Sequence, residues 1–169
     1  APSRGLGDVY KRQPSTRFTQ LLVDVDYQIP RIWGHRPASI TSSFHGQWTL
    51  GDKRLFSRDM ISLGNRYTVQ GFDGENTLMA ESGWYMRNEV ASYIPKWKSS
   101  VYANIDFGAV YGPSTEVLTG KFIAGTSLGM RGQFKSGLFY DVFVGAPLYK
   151  PSGYKTDSVT AGFQAGVRF

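Results

Sequence analysis

The sequence has no cysteine, so disulfide frameworks and thiolate chemistry are both excluded. No run of about 18 apolar residues occurs, which excludes a transmembrane helix. Its 19 Lys and Arg never cluster into a run; the net charge of +6 is therefore read as basic loops and a basic lining, and no nucleic-acid partner is expected. Metal-ligand spacing is missing too. His35 and His45 stand apart, Asp24-x-Asp26 is a pair of solvated carboxylates, and Asp73-Gly74-Glu75-Asn76 lacks the alternating aspartates of a calcium loop. No metal, no cofactor and no enzymatic site are expected. No helical stretch stands out, whereas 20 glycines and 15% aromatic residues point to an all-β chain.

The opening string, Ala1 to Gln13, resembles translated sequencing-adapter read-through, and no signal peptide is read in it. It is set aside from fold reasoning, and the native chain is expected to continue upstream of residues 14–169. Without its three cations and Asp8 the net charge falls from +6 to +4.

Seven segments alternate apolar with polar residues: about Phe18 to Pro30, Arg36 to Leu50, Met79 to Ile94, Ser100 to Tyr111, Gly120 to Gly132, Gly137 to Tyr149 and Ser158 to Phe169. Alternation of this kind is a strand signal. In the first, Leu21, Val23, Val25, Tyr27 and Ile29 oppose Gln20, Asp24, Asp26 and Gln28. In the fourth, Val101, Ala103, Ile105, Phe107 and Ala109 oppose Tyr102, Asn104, Asp106 and Gly108. The third is the least regular, because Asn88 falls on the side of Trp84, Met86 and Val90.

Most segments run to about 12 residues, whereas sandwich strands average about 5 to 6 and a tilted bilayer-spanning strand takes about 9 to 11. Connections alternate short and long, as between the turns and outer loops of membrane barrels. The longest, Gly51 to Leu78, is where function is expected, since long structureless connections in compact domains are usually functional. Trp33 and Trp97 fall in short turns, where an interfacial girdle would lie. The last segment ends on Phe169, a terminal aromatic like the signal that outer-membrane proteins present to their assembly machinery. The expected fold is an all-β, antiparallel transmembrane barrel in contact with membrane lipid; a soluble β-sandwich binding module is the alternative.

Several motifs then resemble one family in order and spacing across Thr16 to Phe169. They are His45-Gly46-Gln47, Leu63-Gly64-Asn65-Arg66-Tyr67-Thr68-Val69-Gln70-Gly71-Phe72, Gly83-Trp84-Tyr85-Met86-Arg87-Asn88-Glu89, Asp106-Phe107-Gly108 and Gly145-Ala146-Pro147-Leu148. The family is that of the two-partner-secretion transporters of the bacterial outer membrane, haemolysin activation/secretion proteins with POTRA domains before the barrel. The resemblance implies a 16-stranded barrel of which this chain would be the last seven strands. It also implies a pore translocating a large exoprotein, of haemolysin or adhesin type, from periplasm to surface without nucleotide hydrolysis. A barrel-assembly factor of the same superfamily is the runner-up.

The resemblance further implies that the long loop folds into the pore. A Val-Arg-Gly-Tyr/Phe tip there meets the Asp of an Asp-x-Gly wall motif. The wall motif is present as Asp106 and Gly108, whereas the tip reads Val69, Gln70, Gly71 and Phe72, with Gln70 where Arg is expected. A guanidinium gives a carboxylate a charge-assisted, bidentate partner, and an amide gives it one neutral bond. The loop is therefore expected to latch less firmly, unless Arg66 supplies the charge; a divergent homologue or a one-base error accounts for Gln70 equally well.

Overall fold

The structure of the chain is a computed structural model that describes residues 17–51, 54–117 and 121–169; the string Ala1 to Gln13 lies outside the described residues. In chain order the strands are β1 (Thr19–Trp33), β2 (Arg36–Leu50), β3 (Ile61–Leu63), β4 (Leu78–Ala80), β5 (Ser82–Ile94), β6 (Ser99–Tyr111), β7 (Phe122–Gln133), β8 (Leu138–Tyr149) and β9 (Thr160–Val167). Seven of them form one antiparallel sheet in the order β1-β2-β5-β6-β7-β8-β9, and β3 pairs with β4 inside the long connection. Each wall strand thus lies beside its neighbour in sequence, the up-and-down arrangement of membrane barrels.

The seven alternating segments are the seven wall strands, with small differences at their ends. The third was expected to begin at Met79, but Met79 belongs to the β3–β4 hairpin and β5 starts at Ser82. Between them Glu81 is buried, its carboxylate accepting from the Ser114 backbone N–H at 3.2 Å and from the Ser114 hydroxyl. The last strand stops at Val167 because its partner β8 begins opposite, at Leu138. Arg168 then donates its N–H to Gly137 in the turn at 2.9 Å, and Phe169 is left fully exposed.

The short connections have local causes. Trp33 faces Arg36 across a two-residue turn in which Gly34 and His35 both take positive φ, 53° and 70°. That is the primed turn geometry whose twist suits a hairpin. Between β5 and β6, Pro95 opens a short 3-10 turn to Trp97.

One face of the sheet is apolar and open. Leu21, Val25, Tyr27, Ile105, Leu128, Val144 and Phe163 stand exposed on it. A soluble sandwich would cover such a face, whereas in a bilayer lipid covers it. The four tryptophans gather towards its two ends. Trp33 and Trp97 lie at the turn side, and Trp48 and Trp84 near the loop side, where Trp84 stacks with Phe44 at 6.1 Å and meets Phe107 edge-on at 5.9 Å.

The irregular third segment has a physical solution. Asn88 lies beside Ser42 in register, and the Ser42 hydroxyl donates to Asn88 Oδ1 at 2.5 Å while Asn88 Nδ2 donates to the Ile105 carbonyl at 3.1 Å. Two polar side chains on the lipid-facing side therefore satisfy each other and the ladder, which removes most of the cost of placing them in hydrocarbon.

Replacing Ser42 by Ala leaves Asn88 Oδ1 without its partner, and a loss of about 1 to 3 kcal/mol in unfolding free energy is expected. The double variant Ser42→Ala/Asn88→Leu removes both polar groups and is expected to recover most of the loss in urea titrations of the folded band on gels. Equal stability of Ser42→Ala and the parent would show that the pair does not face lipid.

Candidate functional site

The long connection is built rather than irregular. Its neck is the β3–β4 hairpin, whose Ile61, Leu63, Leu78 and Ala80 are buried with Val69 and Phe72 from further along the loop. The same cluster takes in Val110, Ile123 and Tyr154, which belong to β6, β7 and the β8–β9 connection. The loop therefore shares one apolar core with the wall. Gly83 and Gly108 make room for it: a Cβ at either would stand 2.9 Å from Ile61 Cγ2 or Leu63 Cδ1 respectively. Polar bonds fix the neck to β2, with Gln47 Nε2 donating to the carbonyls of Asp59 at 2.8 Å and Glu81 at 3.2 Å.

Past the neck the chain turns on Asn65. Its Oδ1 accepts from the backbone N–H groups of Tyr67 at 2.9 Å and Thr68 at 3.1 Å, a side-chain turn that Asn makes readily. The tetrapeptide Val69 to Phe72 follows and divides its work. Val69 and Phe72 insert into the apolar cluster, and Gln70 and Gly71 between them lie on the wall. Gly71 has φ +102°, and an added Cβ there would stand 2.4 Å from the Ala146 carbonyl oxygen, so only glycine fits. The wall answers with glycines of its own. A Cβ on Gly125 would stand 1.8 Å from the Gln70 carbonyl oxygen, and one on Gly145 would stand 3.0 Å from Gly71 Cα. At this spot the β7–β8 ladder shifts register between Ala124 and Gly125, opposite Pro147, which has no N–H to give a ladder.

Gln70 is held at every polar group but its carbonyl, for which no partner is described. Its backbone N–H donates to Asp106 Oδ2 at 3.2 Å, and Oε1 accepts from Asn104 Nδ2 at 3.1 Å and from the Ser127 hydroxyl at 2.7 Å. Nε2 donates to the Arg66 carbonyl at 3.2 Å. The tip and the wall residues Asp106 and Gly108 expected from the sequence are thus on the same side of the sheet, with Asp106 at the tip and Gly108 under the neck.

Arg66, expected as a substitute charge for Gln70, is placed elsewhere. Its guanidinium lies 3.4 Å from Asp141 Oδ2 and over the Phe143 ring at 4.7 Å. The cation beside Asp106 is Arg87 on β5, with Nε 3.8 Å from Oδ2 and its NH1 donating to the Tyr67 carbonyl at 3.3 Å. Arg87, Asn104, Ser127 and Asp141 all lie on polar faces in the sequence pattern. Their meeting with the loop joins residues 20 to 75 positions apart, which alternation cannot show.

Phe72 and Asp73 lead the loop out towards the β8–β9 connection. Phe72 meets Tyr154 edge-on at 5.7 Å, and the Tyr154 hydroxyl donates to the Asn76 carbonyl. Burial and the neighbouring Asp73 carboxylate push the Tyr154 phenol up to about 12, so it stays a donor. Asp73 accepts from the N–H groups of Asp157 at 2.8 Å and Glu75 at 3.0 Å. Burial would raise its pKa, but those N–H groups and the Thr156 hydroxyl outweigh it and hold the carboxyl below its usual 3.8. On the other side of the tip, Asp24 Oδ1 bonds His45 Nδ1 at 2.5 Å, and the described residues hold no cluster of ligands for a metal ion.

Set against known proteins, residues 3–132 match the family model described as haemolysin secretion/activation protein ShlB/FhaC/HecB. Over 156 residues the chain is 38% identical to the outer membrane transporter CdiB-2 of Burkholderia pseudomallei (strain 1026b), covering 90% of this chain and 26% of that protein. The solved structure of CdiB from Acinetobacter baumannii superposes with a TM-score of 0.80 at 30% identity, over 90% of this chain and 27% of that one. CdiB from Escherichia coli, at 23% identity and TM-score 0.77 over 91% and 28%, shares the fold. The chain spans about a quarter of the length of these relatives.

Two expectations follow from the site. Gly125→Ala drives a methyl into the Gln70 carbonyl, and protease cleavage within 64–74 in intact cells should rise, whereas Gly129→Ala meets only the Tyr102 ring and should leave cleavage unchanged. Equal cleavage in both variants would mean that the tip does not rest on Gly125. The second concerns pH. Because the folded-state pKa of Asp73 is depressed, its contribution is present above the usual 3.8 and disappears as pH falls through the lower folded value. Loop cleavage should therefore rise below about pH 4 in the parent, and Asp73→Asn should flatten that rise; an unchanged profile would overturn it.

Proposed function

We propose a protein-secreting pore, and the premise is one of membership: this chain belongs to the haemolysin secretion/activation family, whose relatives are outer-membrane transporters. The sheet is a piece of the barrel wall in the outer membrane, with its apolar face to lipid and its polar face to the lumen. The observation that carries the functional reading is the docking of Gln70 and Gly71 on the glycines of β7 and β8. A loop that returns across the lumenal face and shares a core with it occupies the path that a passing polypeptide needs. Val69, Gln70, Gly71 and Phe72 form the occupying tip, and Asp106 and Gly108 are its seats on the wall.

The cargo in this reading is one large exoprotein, of the haemolysin or adhesin class, received unfolded from the periplasm and released at the surface. The lumenal face suits an extended chain, since it offers hydrogen-bonding groups and glycine backbone and no deep apolar pocket that would arrest one sequence. A second reading of the cargo comes from the relatives. The curated protein and both solved structures are CdiB transporters, so the substrate class of those transporters fits equally. Phe169, at the exposed end of the last strand, is read as the contact for the outer-membrane assembly machinery.

Deleting the gene in its own bacterium should remove one large protein from the surface and medium and leave its precursor in the periplasm, as read by comparative proteomics. The full-length gene should restore export, and the same gene with Phe169→Ser should give less barrel in the membrane. An unchanged surface proteome after deletion would overturn the secretion reading.

A further inference from the structure

Asp106 has no solvent exposure, and a carboxylate in that state must be neutralised or bonded at every lone pair to stay ionised. Its partners are two backbone N–H groups, Gln70 at 3.2 Å and Asn88 at 3.3 Å, and one cation, Arg87. The Arg87 Nε is itself buried and has no hydrogen-bond partner, standing 3.8 Å from the carboxylate, just beyond hydrogen-bond reach. Its NH1 reaches out to the Tyr67 carbonyl of the loop. Arg87 thus joins the wall carboxylate to the loop, although it belongs to the wall.

The socket around the Gln70 side chain has the opposite character. Asn104 Nδ2 and the Ser127 hydroxyl both donate into it, and both are answered by Gln70 Oε1. A guanidinium has donors only. An Arg at position 70 would turn five N–H groups towards two donors and would stand beside Arg87, sharing one carboxylate with it. Turning the Asn104 amide over offers a single acceptor and leaves the repulsion in place.

We infer that Arg87 is the positioning residue that latches this loop, and that position 70 is its neutral counterpart, an acceptor seated between Asn104 and Ser127. The charge of the latch sits on the wall instead of the tip. Gln70→Arg therefore loosens the loop, contrary to the expectation from charge assistance alone. The inference rests on the pore-loop reading only for its consequence in secretion, and its test reads the loop's position directly.

The described chain has no cysteine, so one introduced residue is a unique probe. Val69→Cys is placed in the full-length protein, freed of any other cysteine, in native outer membranes; Val69 is fully buried while the loop is docked. Its labelling rate with a membrane-impermeant maleimide measures how often the tip leaves the wall. Gln70→Arg and Arg87→Gln should each speed labelling by about ten- to hundredfold, the change that loss of one bond to a charged group produces. The swap Gln70→Arg/Arg87→Gln should return to within about threefold of the parent, because the pair again holds one cation and one amide. Arg87→Lys, which keeps the charge, should stay near the parent and serves where Arg87→Gln gives too little folded barrel. Labelling of Gln70→Arg at or below the parent rate overturns the inference. So does a swap variant as fast as the faster single variant, or Arg87→Lys as fast as Arg87→Gln. Secretion of cargo is scored separately, so loss of export with an unmoved labelling pattern counts against the pore reading and not against the latch.

Discussion

A carboxylate shut away from water at the middle of the wall sets the terms for everything around it. Asp106 lies on β6 with no exposed surface, and ionised it must be met from all sides. The wall supplies Asn88 N–H and the Arg87 guanidinium, and the loop supplies Gln70 N–H. If the loop were absent, one oxygen would lose its backbone donor and Arg87 would lose the Tyr67 carbonyl. The polar face is thus incomplete without the loop, and the loop's course follows from that need.

The lumenal glycines divide into two sets with different partners. Gly83, Gly108, Gly125 and Gly145 lie where the loop touches, and a side chain on any of them would meet Ile61, Leu63, Gln70 or Gly71. Gly129, Gly162 and Gly166 lie under rings of the neighbouring strands, those of Tyr102, Phe143 and Phe139. Each ring carries an arginine on it in turn: Arg131 over Tyr102, Arg66 over Phe143 and Arg168 over Phe139, at 4.7, 4.7 and 5.1 Å. Glycine, aromatic ring and guanidinium form layers, so the bare backbone is covered and the aromatic faces are not left to water. This part of the wall is dressed by its own strands, whereas the upper part is dressed by the loop.

Alternation in the sequence located all seven wall strands and both faces because a strand's pattern is local, and burial of one face in lipid enforces it over every strand. It also located the loop, and set Asp106 on the polar face without reference to any relative. What it missed was partnership. Arg66 and Arg87 both lie near the tip in sequence order, and nothing local assigns one to Asp141 and the other to Asp106. The acceptor role of Gln70 depends on Ser127, 57 residues away. The clasp of Asp73 and Asn76 on the β8–β9 connection spans 79 to 84 residues. The turn chemistry of Asn65 and the split of Met79 from β5 were local, and were hidden only because short elements in a long loop leave too few residues for a period to emerge.

The loop is held by two kinds of force that act on different coordinates. Its apolar residues enter a cluster closed by Val110, Ile123 and Tyr154, and burying each large apolar side chain contributes about 1.5 to 3 kcal/mol. That attraction is strong and has no direction, so it keeps the loop in the lumen without fixing which residue meets which. The polar bonds at Gln70 contribute about 1 kcal/mol each, but they demand one register. Slipping by one residue would bring a side chain onto Gly125, where 1.8 Å separates a would-be Cβ from the Gln70 carbonyl oxygen. The close backbone approach and the Asp106 cage therefore choose the seat, and the apolar cluster keeps it occupied. A polypeptide in transit can displace such a loop by competing for the polar seat first. The register is lost before the cluster opens, so the tip yields ahead of the neck, which β2 holds through Gln47.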